Sequence, residues 1–266
     1  MACKASRRKS LEEDAMASVA SSRGTKIVVA LALGLALGLP PAPSYAGEGA
    51  EAGWVQTRNE DGIRVSRKEI PGSGFLALRG EGDVDKPLLL VGSVLVDVAR
   101  SREWVDSVVD ARVLRAVDAT EYVTYTHVGT PVTMADRDFV TDVKLDVDPA
   151  TKRLFVQMHS VADPLAPKTR YVRGDVVESR LVLTPIDGGR RTHVVAEIHA
   201  DPKGGVASWL VNFFQKDWGY NTLKRLRAQT AKPDIQVDAS LKGLLETRGY
   251  FGDAGAAGMT ASVAQD

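Results

Sequence analysis

The sequence predicts an α+β fold in which an antiparallel sheet curls around one long closing helix. Three observations carry this. From Ala111 onward, six segments alternate with a period of two and are separated by turn signals. In one of them, 136–147, Phe139, Thr141, Val143, Leu145 and Val147 share one side, while Asp138, Asp142, Lys144 and Asp146 share the other. That is a sheet with one buried and one wet face. Finally, Asp201–Gln229 opens with a Pro/Gly turn and continues as an amphipathic helix bearing Trp209, Leu210, Phe213, Phe214 and Trp218, in a chain only 6% aromatic. A helix with that much apolar surface has to cover something, either a solid core or a hollow one.

The elements follow in order. Ile27–Leu39 is an apolar run preceded by Arg23 and Lys26 and broken by Pro40, Pro41 and Pro43. Ser44-Tyr45-Ala46 supplies the small residues of a cleavage site, so 1–46 reads as a secretory signal peptide, with Met16 an alternative start. The run falls short of the ~20 residues a membrane span needs. The expected location is therefore periplasmic or secreted. Gly47–Gly53 is a small-residue lead-in. Gly62–Glu69 and Phe75–Val84 read as strands around the turn Pro71-Gly72-Ser73-Gly74. Asp85 is placed as the N-cap of a helix running through Val96, and Val98–Val109 as a second short helix around Trp104. Strands are then expected at 111–117, 121–128, 136–147, 153–161, 171–183 and 191–200. The main domain spans 47–232. In the extension, 233–266, a short helix is expected over Asp238–Thr247, and the Gly/Ala-rich end from Gly252 is expected to be disordered.

Composition and motifs exclude much. The only cysteine, Cys3, belongs to the leader, so the domain is held by its core and not by disulfides. The first 46 residues hold six of the 34 Lys/Arg and three of the 34 Asp/Glu, which leaves the remainder slightly acidic and gives no nucleic-acid footprint. No P-loop, dinucleotide fingerprint, nucleophile elbow or H-E-x-x-H occurs. His193 and His199 sit roughly 20 Å apart along one strand, too far to share a metal. Asp146-Val-Asp148-Pro lacks the glycine and glutamate of a calcium loop and reads as a hairpin turn. Asp136-Arg137-Asp138 is open to two readings, an acid/base cluster or an ion-pair network anchoring the sheet. Tyr122, Tyr125 and His127 on 121–128 are either polar handles in a pocket or strand formers with wet tips. Gly204-Gly205 is either a plain turn or a hinge.

The stretches PVTMADRDFV (131–140) and DPKGGVASWLVN (201–212), with Trp104 and Asp61-Gly62-Ile63-Arg64-Val65 upstream, resemble the START family of lipid-transfer domains over roughly Trp54–Gln229. The resemblance implies a helix-grip fold: a curved antiparallel sheet around a long C-terminal helix, with a lipid tunnel between them. Carried onto this chain, Val206–Gln229 is the lid and the loop Asp163–Thr169 flanks the entrance. Arg137-Asp138 matches a structural signature of the family. Where some sterol binders of the family carry a basic residue of a buried charged pair, this chain has Val143, so the ligand is met instead by Tyr125, His127 or water, or is more completely apolar.

The expected tunnel wall is Tyr125, His127, Phe139, Thr141, Val143, Leu145, Val156 and Met158, with Leu210, Phe213, Phe214 and Asp217 on the lid. The expected function is non-enzymatic binding and transfer of one lipid, a sterol or phospholipid. It involves transient contact with a membrane surface, no cofactor and no metal, and the protein is expected to act as a monomer. Two alternatives stand beside it. One is a cyclase or aromatase using the same cavity. The other is a structural or adaptor domain whose cavity is filled by Phe139, Phe155, Phe213, Phe214 and Trp218.

Overall fold

The computed structural model describes residues 53–130, 134–207 and 216–251. In chain order these form β1 (Trp54–Glu60), β2 (Ile63–Lys68), β3 (Ala77–Val84), α1 (Leu88–Val96), a 3-10 turn (Val98–Glu103), β4 (Val108–Ala116), β5 (Glu121–Val128), β6 (Arg137–Asp148), β7 (Arg153–Ser160), β8 (Val172–Arg173), β9 (Asp175–Ile186) and β10 (Arg191–Asp201). Two helices follow, α2 (Trp218–Thr230) and α3 (Ala239–Thr247). The strands make one sheet in the order β1-β2-β3-β10-β9-β7-β6-β5-β4, with β8 beside β6. All pairings are antiparallel except β6–β8.

Four sequence readings are corrected. The strand β1 was missed, because Trp54–Glu60 lies at the sheet edge and is mostly exposed, so it carries little apolar alternation. The signal was the Asp61-Gly62 turn joining it to β2, with φ of 53° and 66°. Asp85 does not cap α1. The helix starts after Pro87, whose carbonyl accepts from the Leu90 and Val91 amides, and Asp85 instead accepts from Arg191 Nε at 2.6 Å. The expected second helix ends at Glu103, and β4 begins soon after Ser107 turns the chain at φ 64°. The expected strand 171–183 is split at Gly174, where a Cβ would overlap the Phe139 ring.

The register arranges the concave face in rows that cross the sheet. At one end Val147, Leu154, Leu183, Val194, Gly82 and Ile63 stand side by side. The next row is Leu145, Val156, Leu181, Ala196, Gly80 and Val65. Then come Tyr122, Val143, Met158, Ser179, Ile198 and Leu78. Towards the far end lie Val113, Thr124, Thr141 and Ser160, and last Ala111, Thr126 and Phe139.

The helices fill the first of these rows. Leu88, Leu89, Val91 and Val94 of α1, Tyr220, Leu223 and Leu226 of α2, and Leu241, Leu244 and Leu245 of α3 join the first two rows in one core. Each fully buried leucine contributes about 1.5–3 kcal/mol of transfer free energy. Two small-residue contacts bring the layers this close. Gly219 of α2 lies directly on Gly80, where a Cβ on either would come within 2.9 Å of the other's backbone. Gly92 of α1 receives Leu241 of α3. The short helix expected over Asp238–Thr247 is α3, and Asp238 is its cap, accepting from the Leu241 amide at 2.7 Å.

Polar ties then fix α2. Arg227 donates to the carbonyls of Asp83 and Asp61, each at 2.7 Å, and Tyr220 donates to Asp61 at 2.5 Å. Arg58 stacks on the Tyr220 ring at 3.5 Å.

Candidate functional site

The far end of the concave face is a different environment. Among the described residues, the hydrophobic core cluster extends along the sheet as far as Tyr122, Val143 and Met158. The far end centres on a pair of hydroxyls: Thr124 Oγ1 and Thr141 Oγ1 lie 2.8 Å apart, both side chains buried. They face each other because β5 and β6 pair without a register shift, which puts these two residues directly opposite. Around them stand Phe139, Thr126, Met158 and Ile198, all only partly buried. Ser160 Oγ accepts the Val176 amide at 2.8 Å, and Ser179 Oγ donates to the Glu197 carbonyl at 2.9 Å. One row nearer the core, burial pushes the Tyr122 hydroxyl up to about 12, with Asp238 adding to the effect. A cleft of about 510 Å³ opens at the β4 edge, lined by residues that include Val94, Val98, Val113, Ile235 and Val237.

The sequence-predicted site residues divide. Phe139, Thr141, Val143, Leu145, Val156 and Met158 all face the concave side, as the alternation indicated. Of these, Val143, Leu145 and Val156 belong to the filled core and Met158 packs against its margin, whereas Thr141 and Phe139 stand at the far end. Leu210, Phe213 and Phe214 lie outside the described residues. Asp217 immediately precedes α2 and pairs with Arg58 at 3.1 Å, half-exposed, so it is held towards β1 and not on an inner stripe.

Tyr125 and His127 are corrected outright. They stand opposite Val140 and Asp138, so both project from the convex face. An alternating strand sends odd and even positions to opposite sides, and here the even positions Tyr122, Thr124 and Thr126 face inward. Thr124 was the residue missed. The clue was its register against Thr141, which a single sequence does not supply.

The convex face has its own order. Val123, Tyr125 and Val140 form a small second core under Leu114, Val161 and Ala166. The loop Asp163–Thr169 folds over this cluster and does not line the concave face. Asp163 pairs with Arg115 at 3.1 Å, and Thr169 donates to Asp138 at 2.7 Å. Asp138 is fully buried. Burial alone would raise it, but Arg173 at 2.7 Å and Thr169 outweigh that and hold it below the usual carboxylate range. Burial, with Asp138 beside it, pushes the Tyr125 hydroxyl up to about 12. His127 stacks on Tyr171 at 4.1 Å and bonds Asp136 at 2.9 Å. Arg137, which has the opposite parity on β6 and so shares the side of Phe139 and Thr141, is buried and donates to the carbonyls of Ala135, Pro202 and Lys203. The Asp136-Arg137-Asp138 run is thus a structural network.

That network clips β6 to the turn before the closing helical segment. There Lys203, Gly204 and Gly205 hold φ of 53°, 75° and 69° in succession, which accounts for the two glycines. Among the described residues no group of three metal-ligating side chains occurs. The histidines are separately engaged, His193 with Asp83 and His199 with Ser73.

A single antiparallel sheet, gripped at one end by helices and lined at the other with partly covered apolar and hydroxyl groups, defines an α+β domain of the helix-grip class. The comparisons identify it further. The START domain family matches residues 46–233, and the chain belongs to that family. An uncharacterised protein of Pseudomonas aeruginosa is 28% identical over 189 residues, 70% of this chain and 91% of the relative. The crystal structure of a STAR-related lipid transfer protein from Xanthomonas axonopodis is 27% identical with a TM-score of 0.61, covering 68% of this chain and 99% of that one. Human StAR-related lipid transfer protein 5 shares the fold at 22% identity and a TM-score of 0.63, over 68% of this chain and 87% of that one.

Proposed function

We propose that this protein binds one lipid at a time against the concave face of its sheet and carries it between membranes without altering it chemically. The observation that carries this reading is membership of the START family over 46–233, joined to a concave face against one end of which the described helices pack. Lipid transfer needs such an enclosure. Each CH₂ exposed to water costs about 0.8 kcal/mol, so a chain of about 16 carbons costs on the order of 12 kcal/mol in transit. A surface groove does not return that, whereas an enclosed pocket does.

A carrier role, as opposed to catalysis, draws support from where the titratable groups point. Tyr125 and His127, on which a cyclase reading would rest, occupy the convex face. The leader pattern over 1–46 supports work outside the cytoplasm, in the periplasm or after secretion, as a monomer touching membranes transiently. Mass spectrometry of lipids extracted from natively expressed protein should return one lipid class at about one molecule per chain. Protein that comes out empty and takes up no lipid class offered to it refutes the reading.

A further inference from the structure

We infer that the cleft at the β4 edge is a side compartment of the ligand site, built by the chain beyond the START domain, and that it receives the second acyl chain of a two-chain lipid. This rests on the lipid-binding reading above and adds to it a compartment and the lipid architecture that uses one.

The cleft of about 510 Å³ falls inside the range of roughly 300–1,000 Å³ typical of ligand pockets. One wall is the segment 234–239, which begins just after the START match ends at 233. Two clasps hold this segment over the end of α1 and the 3-10 turn. Arg100 reaches Asp234 at 3.0 Å, and the Asp238 amide donates to Ser93 Oγ at 2.9 Å. Between the clasps Ile235, Gln236 and Val237 run without regular structure. The opposite wall includes Val113 of β4. It stands opposite Thr124 on β5, and so belongs to the concave side, yet it is 46% exposed. An apolar side chain that points inward and still meets solvent borders an unfilled space. Val113 also joins the cleft to the row that holds Thr124 and Thr141.

The lining decides the occupant. Val94, Val96, Val98, Val113, Ile235 and Val237 give the cleft an aliphatic surface. Its hydroxyl and charged groups are committed elsewhere. Ser93 Oγ donates to the Leu89 carbonyl at 2.7 Å while it accepts from Asp238. Arg100 forks onto Glu103 at 2.7 and 2.8 Å, and Asp97 accepts the Arg100 amide. Asp238 accepts the Leu241 amide, and Arg112 donates to Asp110 at 2.8 Å. Such a surface rewards the burial of CH₂ groups and offers little to a polar head. A peptide strand is the other slender occupant of a groove beside an edge strand. It needs an even ladder of main-chain bonds, and β4 is bulged between Val108 and Asp110 and again between Val113 and Arg115. A hydrocarbon chain needs no ladder. One chain of the lipid therefore lies along the concave face, and the other turns past Val113 into the cleft. A single-chain lipid leaves the cleft unused.

Two probes test this: a phosphatidylcholine with a photoreactive diazirine in each chain, and the lysophosphatidylcholine with the same group in its one chain. Each is offered to the full-length protein and to two variants, Val113→Trp and Ala99→Trp, which put a ring into the cleft from exposed positions. Thermal melting first shows that each variant is folded. Both variants should take up the two-chain probe at least about tenfold less well than the parent, since two methylenes kept out of an apolar site already correspond to tenfold. Their uptake of the single-chain probe should match the parent's. On irradiation the two-chain probe should label peptides of the parent that contain 94–99, 113 or 235–237, and the single-chain probe should not. Two-chain uptake that both variants retain, equal losses for both probes, or labelling that leaves those peptides untouched overturns the proposal alone. Uptake of neither probe by the parent overturns the lipid-binding reading and the proposal with it.

Discussion

The two ends of the concave face share β6 and β7 and differ in what the described helices place against them. At the end marked by Leu154, Leu183 and Val194, leucines of α1, α2 and α3 join the sheet in one buried core. At the end marked by Thr124 and Thr141, the wall turns to hydroxyls and partly exposed apolar groups such as Phe139 and Ile198. The contrast separates stability from function. One end is a core whose losses register as unfolding, and the other is a lining whose changes register as altered uptake.

The largest expected effect lies at the filled end. Leu154→Ala removes a fully buried side chain shared by the sheet, α1 and α3, and should cost about 2–5 kcal/mol by chemical denaturation. Lipid affinity of the folded fraction should stay unchanged. Gly219→Ala comes next. Its Cβ has no room against the Gly80 backbone, so α2 must move outward at a cost of about 1–3 kcal/mol.

The Asp138 network on the convex face follows. Asp138→Asn weakens the charge-assisted bonds from Arg173 and Thr169, and a loss of about 1–3 kcal/mol is expected at neutral pH. Because the folded pKa of Asp138 is depressed, its contribution is fully present above its unfolded value of about 3.9 and fades as pH falls through the lower folded value. The variant should therefore show a flatter acid limb than the parent below pH of about 4. The smallest stability effect is expected of Thr124→Val/Thr141→Val. Removing both partners of one bond leaves neither orphaned, and the change should stay within about 1 kcal/mol.

How much of this was legible in the sequence depends on the kind of signal. Alternation in 136–147 placed Thr141, Val143 and Leu145 on the concave side, because a strand's period of two is a local property. It gave no phase for the neighbouring strand, so Tyr125 and His127 were expected inside when Tyr122 and Thr124 are. Which face a short strand of mixed polarity buries is settled by its pairing partner. The same limit applies to the loop 163–169, whose partners Arg115 and Asp138 lie 48 and 31 residues away. The turn at Lys203–Gly205 and the short helix beginning near Asp238 were readable, since both depend on residues next to one another. β1 was not, since an exposed edge strand has little to alternate.

The account stands on the claim that the hydroxyl end is a lining and not a core, and Thr141→Phe tests it most directly. Its stability and its one-to-one uptake of a pyrene-tagged lipid alcohol are to be measured side by side. A lining has room for the ring but not for ring and lipid together, so the variant should melt within about 1 kcal/mol of the parent and take up no lipid. A variant that loses about 1–3 kcal/mol of stability, as an overpacked core does, yet binds lipid as the parent does would contradict it.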